Sequence, residues 1–116
     1  MSDDATQLRE RLQQLLELIG AEEVKTVAEV ALEEIPKKLV SIEEGIARNE
    51  LPPVSRLAHG LKGDTSTLGI DTMAAIAKTL EGIDKPEFTE DSNALVARLK
   101  VLYAEAEPIL KEFSQA

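Results

Sequence analysis

The 116-residue chain contains no cysteine and only one histidine, His59. Without cysteine there is no disulfide framework, thiol nucleophile or zinc–cysteine site. The net charge of -9 argues against a nucleic-acid surface, because such surfaces need clustered lysine and arginine to neutralise phosphates. These absences favour another protein as the binding partner.

Targeting and membrane-spanning segments are also missing from the sequence. The first twenty residues are charged and amphipathic, and they lack the apolar core and cleavage site of a secretory signal. No apolar run approaches the roughly 20 residues that a membrane helix needs. We therefore expect a cytoplasmic protein without a membrane partner. The length, with 43% apolar and 30% charged residues, predicts one ordered domain over residues 1–116.

Apolar residues recur at three- and four-residue steps, which is typical of helices, and no segment alternates with period two over a strand's length. A short first helix, about residues 4–19, has the stripe Leu8, Leu12, Leu15, Leu16 and Ile19 and ends at Gly20. Pro36 lies inside the second stripe, which keeps its phase, and so predicts one kinked helix. Pro108 predicts a second kink in the last helix.

Short connections between these helices force neighbours to run antiparallel. We expect an all-α fold, an antiparallel up-down four-helix bundle over about residues 21–114, with the first helix packed across one end or side. Asp71 is predicted to cap the fourth helix, whose apolar stripe includes Ile83. Thr89 and Asp91 are predicted capping residues before the fifth helix.

His59 lies in the third predicted helix, on the face opposite its apolar stripe. The stripe is centred near Leu61, and His59 points roughly 150° away from it, so the imidazole is expected to be exposed. Lys62 lies on the same outward side. Gly60 and Gly63 flank His59, although a glycine inside a helix costs about 1 kcal/mol relative to alanine. Close approach of another backbone or domain would offset that cost.

Glu81 is expected to lie at the same height as His59 on the neighbouring helix. The hairpin turn is centred near Ile70, with His59 eleven residues before it and Glu81 eleven after it. A hydrogen bond from the Nδ1–H group of His59 to this carboxylate would fix the tautomer and leave Nε2 as a nucleophile. Lys62 and Lys85 would offset the charge of an anionic group added at Nε2.

Each of these residues also has an interpretation without chemistry. An exposed histidine on a helix is usually inert, Lys62 is by default a solvated charge, and Glu81 is a surface carboxylate. Gly63 is then a tolerated irregularity. Their convergence on one spot favours a functional site.

The segment Ser55–Gly69 resembles the signature of histidine-containing phosphotransfer (HPt) domains. In that signature an A-H-x-L-K-G core, here residues 58–63, is followed by a Leu-Gly pair, here residues 68–69. The similarity extends back through residues 31–49, including the mid-helix proline, and forward to about Ile83. Small residues often follow the motif glycine in the family, whereas this chain has Asp64, which we expect to influence partner choice from the flank of the helix.

The resemblance implies that His59 is the phosphorylated residue. It also implies a role for Glu81, since the family commonly places a Gln or Glu there, hydrogen-bonded to the histidine. Gly63 would then give clearance for a docking partner. We expect the partner surface to include Ser55, Arg56, Ser66, Lys78 and Lys85.

The leading interpretation is a monomeric phosphorelay intermediate rather than an enzyme. Nε2 of His59 would accept a phosphoryl group from the phosphoaspartate of a response-regulator receiver domain or a hybrid sensor histidine kinase, and pass it to another receiver. The Mg²⁺ would belong to the receiver, because this sequence shows no conspicuous cluster of metal ligands. Without a glycine-rich phosphate loop, we expect neither a nucleotide cofactor nor kinase activity.

Two alternatives remain open. The chain could be the N-terminal HPt module of a chemotaxis-type histidine kinase, phosphorylated from ATP by a separate catalytic domain. The initial methionine and the short tail after Phe113 favour a free-standing protein instead. The other alternative, from a different class, is a non-catalytic helical adaptor in which His59 has no chemistry.

Overall fold

The computed structural model describes residues 3–115, and this part of the chain is helical and contains no strand. The all-α fold class is therefore confirmed. The helices are α1 (Asp3–Ile19), α2 (Ala21–Ala47), α3 (Leu51–Thr67), α4 (Asp71–Glu81) and α5 (Ser92–Ser114).

Helices α2 to α5 form an up-down bundle in which each helix contacts its two neighbours in the ring. One apolar stripe from each helix faces the centre, where the fully buried side chains include Ile35, Leu61, Met73, Leu80 and Leu99. Burial of each such side chain contributes about 1.5–3 kcal/mol to folding. Helices α2 and α5 each continue through their internal proline without a break.

Helix α1 packs against α2, α4 and α5 and covers one end of the bundle. Its stripe buries Leu8 and Leu12 completely, whereas Ile19 at its C-terminal end is 44% exposed. The Arg9 guanidinium donates two hydrogen bonds of 2.9 Å to the carboxylate of Glu112, near the end of α5. The covered end is thus the one that contains the C terminus of α5 and the turn between α3 and α4.

The prediction that Asp71 caps α4 is wrong. Gly69 adopts a φ of +72°, and the N–H of Ile70 donates to the carbonyl of Thr65 at 2.9 Å, which closes α3 in a Schellman motif. The turn is so tight that Ile70 occupies the N-cap position, without a side-chain cap, and Asp71 is already helical.

The cap of α4 comes from a distant helix instead. Asp4 of α1 is 2% exposed, and its carboxylate accepts hydrogen bonds from the backbone N–H groups of Thr72 at 3.0 Å and Met73 at 3.1 Å. These are among the N–H groups of a first helical turn that have no partner within their own helix. A negative charge at this position also complements the dipole of α4.

The end of α4 also differs from the prediction. The helix stops at Glu81 with Gly82 as its C-cap, so Ile83 is buried in the turn that follows and is not helical. Its N–H bonds to the carbonyl of Leu80 at 3.0 Å, which tightens the last turn. Asp91 caps α5 as predicted, accepting a hydrogen bond of 3.1 Å from the N–H of Ala94. Thr89 lies in the preceding loop.

Candidate functional site

His59 lies near the middle of α3 and points away from the core. Its neighbour Ala58 and the nearby Leu61 are completely buried, and they hold this face of α3 against the bundle. The imidazole is consequently on the outer side, with 66% of its side chain exposed. An exposed ring of this kind is accessible to a second protein.

Glu81 joins α4 to His59 through its carboxylate. Its Oε2 atom lies 3.0 Å from Nδ1 of His59, and its Oε1 atom lies 3.0 Å from Nζ of Lys62. The carboxylate is half-buried, whereas the imidazole is largely exposed. The structure therefore brings together the three residues that the sequence predicted to converge, with Glu81 between the other two.

The charge of Glu81 determines which nitrogen of His59 carries the proton. The Lys62 ammonium, and after it the hydrogen bond with His59, lower the pKa of Glu81, although partial desolvation acts in the opposite direction. An ionised carboxylate can only accept hydrogen bonds, so Nδ1 must be the protonated atom of the pair. In the neutral ring, this leaves the lone pair on Nε2.

Ser55 contacts the same glutamate through the backbone. Its hydroxyl donates a hydrogen bond of 2.6 Å to the carbonyl oxygen of Glu81, in a partly buried position. The sequence places Ser55 on the predicted partner surface and does not predict this contact. The only sequence signal for this hydrogen bond is a small polar residue one turn before His59. Its acceptor could not be predicted, because the acceptor depends on where α4 ends.

Lysine side chains surround one side of the site. A shallow depression of about 350 Å³ includes Glu81, the residue that contacts His59, and it is lined by Ser55, Lys62, Lys78, Glu81, Gly82, Asp84 and Lys85. Lys78 and Lys85 are exposed, whereas Lys62 is half-buried. Three ammonium groups thus lie beside the candidate site on a chain with a net charge of -9. Such an arrangement can attract an acidic group on a partner.

The two glycines beside His59 have different surroundings. A Cβ atom at Gly60 would lie 3.5 Å from Cε and Nζ of Lys38, so this glycine lies beneath a side chain of α2. A Cβ atom at Gly63 would have nothing within 4 Å. The missing side chain of Gly63 is therefore not required by packing within the described residues.

The remaining predicted residues of α3 lie around these glycines. Arg56 and Ser66 are exposed, as expected for a partner surface. The carboxylate of Asp64 forms an ion pair with Lys38 of α2, a contact that the sequence pattern does not predict. This pair ties α2 to α3 beside Gly60.

The described residues show neither a cluster of metal ligands nor a helix that could span a membrane. Among residues 3–115, no group of three or more His, Cys, Asp or Glu side chains is placed to hold a metal ion. No helix in this part of the chain is both long and apolar enough to cross a membrane.

Comparison with known protein families gives a match for this sequence. The sequence matches the family model of the Hpt domain over residues 2–107, which is nearly the whole chain. No curated protein and no solved structure matches it significantly. The chain therefore belongs to the Hpt domain family, whose members carry phosphoryl groups on a histidine in phosphorelays and interact with receiver domains or kinases.

Proposed function

We propose that this protein is a phosphorelay intermediate that accepts a phosphoryl group on Nε2 of His59 from a receiver phosphoaspartate and passes it to a second receiver. The observation that carries the proposal is the hydrogen bond of 3.0 Å between Glu81 and Nδ1 of His59 in an Hpt domain. It directs the lone pair of the exposed ring to Nε2.

The proposed transfer conserves atoms and charge at each step. The Nε2 lone pair attacks phosphorus in line, the P–N bond forms, and the bond from phosphorus to the aspartate oxygen breaks. The ring becomes a phosphoimidazolium whose Nδ1 proton stays hydrogen-bonded to Glu81. The Lys62 ammonium lies 3.0 Å from Oε1 of Glu81 and would offset part of the negative charge added at His59. The receiver would supply Mg²⁺. Transfer to a second receiver reverses these steps.

The proposal is tested by mixing the protein with a receiver domain that carries labelled phosphoaspartate. We expect the label to move to this chain and to be acid-labile and base-stable, as phosphohistidine is. Because His59 is the only histidine, the phosphorylated peptide should be the one that contains it. Labelling only by an ATP-supplied catalytic domain would favour the kinase-module alternative. No label from either type of donor would rule out phosphotransfer.

Replacing Gly63 with alanine separates partner docking from folding. A Cβ at this position has nothing within 4 Å, so we expect the free energy of unfolding to rise by about 1 kcal/mol through better helix propensity. Transfer from a receiver should fall at least about fivefold, since overpacking by a methyl group costs about 1–3 kcal/mol. Quenched time courses of phosphoryl transfer measure the transfer rate, and urea denaturation measures the free energy of unfolding.

Phosphoramidate provides the control for the Gly63 variant, because a small phosphodonor needs no clearance for a second domain. Its reaction with His59 should be as fast in Gly63→Ala as in the unmodified protein. Equal loss with both donors would show that the substitution disturbs His59 itself, and unchanged receiver transfer would exclude Gly63 from docking.

Substitutions of Glu81 test the orientation of the imidazole. Glu81→Ala should slow transfer about ten- to a hundredfold, the range found when the outer partner of a metal-binding histidine is removed. Glu81→Gln retains a carbonyl oxygen that can accept a hydrogen bond from the Nδ1–H group, so the decrease in transfer rate should be smaller. Transfer rates with a common receiver, with circular dichroism as a check on folding, measure both. Equal rates for all three proteins would remove Glu81 from the mechanism.

A further inference from the structure

We infer that Ser55 is a positioning residue for phosphotransfer, acting on His59 through Glu81, an inference that rests on the proposed function. The supporting contact is the hydrogen bond of 2.6 Å from the Ser55 hydroxyl to the carbonyl oxygen of Glu81. It joins the same two helices as the bond between Glu81 and Nδ1 of His59. Ser55 itself donates to the backbone and is not assigned a contact with the reacting atoms.

One face of α3 holds Glu81 at three points. Ser55, His59 and Lys62 follow each other at steps of four and three residues, which places them on one side of a helix. His59 contacts one carboxylate oxygen of Glu81, Lys62 contacts the other, and Ser55 contacts the backbone carbonyl. The side chain and the main chain of Glu81 are thus fixed separately.

The backbone contact matters because Glu81 is the last residue of α4. Carbonyl groups in the final turn of a helix have no partner within that helix, and helix ends fray. The α-helix ends here, because the N–H of the C-cap Gly82 bonds to the carbonyls of Thr79 and Leu80 and not to the carbonyl four residues earlier. The Ser55 hydroxyl donates the hydrogen bond that the Glu81 carbonyl lacks within α4. This bond fixes the backbone from which the Glu81 side chain extends.

A reactive group must be held within about 0.5 Å of its productive position. If the end of α4 loses its attachment to α3, the Glu81 carboxylate should spend less time within hydrogen-bond distance of Nδ1. We expect Ser55→Ala to slow phosphoryl transfer about three- to tenfold, the effect of losing one ordinary hydrogen bond. Ser55→Thr keeps the hydroxyl and should transfer at nearly the original rate.

A control is available at Ser114, the last residue of α5. Ser114 also donates its hydroxyl to a backbone carbonyl, that of Lys111 at 2.8 Å, and it lies at the end of α5. Ser114→Ala removes a hydroxyl-to-carbonyl hydrogen bond that lies within one helix and does not involve Glu81, so it should leave transfer unchanged. In a Glu81→Ala background, Ser55→Ala should cause no further loss, because its effect requires the carboxylate.

The ring nitrogens of His59 provide a measurement that does not depend on phosphotransfer. In ¹⁵N-labelled protein at pH 9, above the usual titration range of histidine, the shifts should indicate a proton mainly on Nδ1. Ser55→Ala should move both shifts toward the Nε2–H tautomer, whereas Ser55→Thr and Ser114→Ala should not. The assignment is unambiguous because the chain has one histidine.

The two readouts separate failure of this inference from failure of the proposed function. If the unmodified protein accepts no phosphoryl group, the proposed function fails, and the ¹⁵N shifts still decide whether Ser55 positions the ring. Unchanged shifts in Ser55→Ala overturn the inference, and slower transfer with unchanged shifts would assign Ser55 to the partner surface instead. Altered shifts with an unchanged transfer rate, or an equal loss in the Glu81→Ala background, also overturn it.

Discussion

Replacement of His59 by glutamine is expected to abolish the acid-labile phosphoryl label while leaving the fold intact. Glutamine is polar and of similar length, but its amide nitrogen has no basic lone pair for attack on phosphorus. The chain has no second histidine to take over the reaction. Because 66% of the His59 side chain is exposed, the substitution removes little buried surface. Glutamine is also a better helix former than histidine, so the fold should be retained.

The measurement is the amount of base-stable label after incubation with a phosphorylated receiver, with urea denaturation to verify folding. Arg98→Gln introduces the same side chain at an exposed position of α5 and should be labelled like the unmodified protein. Labelling of His59→Gln at the original level would show that another residue carries the phosphoryl group. The assignment of His59 would then be wrong, whatever the family of the chain.

The proximity of His59 and Glu81 could be predicted because it depends on regular geometry. Two antiparallel helices rise by the same distance per residue, so residues equally far from a tight turn lie at the same height. The turn after Leu68 is tight because glycine at position 69 accepts a positive φ, and this glycine is visible in the sequence. Counting residues from that point is therefore sufficient to pair the two side chains.

The contacts of Asp4 and Ser55 could not be predicted in the same way. Rules for helix caps consider residues within about four positions, whereas Asp4 is 68 residues from Thr72. The Ser55 contact requires α4 to end at Glu81. The apolar pattern of the sequence continues to Ile83 and does not indicate that end. Both contacts follow from how separate helices meet, which a pattern along one helix does not contain.

The loss of the Asp4 side chain should produce the largest change in stability. Asp4→Ala leaves two N–H groups of α4, those of Thr72 and Met73, without their acceptor at a buried position. We expect the free energy of unfolding to fall by roughly 2–4 kcal/mol, combining the loss of a helix cap with that of hydrogen bonds to a charged group. This is a substantial part of the about 5–15 kcal/mol that stabilises a typical domain.

The neighbouring Asp3 offers a matched control, since it is exposed and also lies in the first turn of α1. Asp3→Ala removes the same charge and should change the free energy of unfolding by no more than about 0.5 kcal/mol. Asp4→Asn retains one carbonyl oxygen as an acceptor but loses the charge that complements the dipole of α4, so its loss should be intermediate. Urea denaturation with an unchanged slope measures each difference. Similar midpoints for Asp4→Ala and Asp3→Ala would mean that water replaces the cap at no cost, and that α1 stabilises the bundle through Leu8 and Leu12 rather than through Asp4.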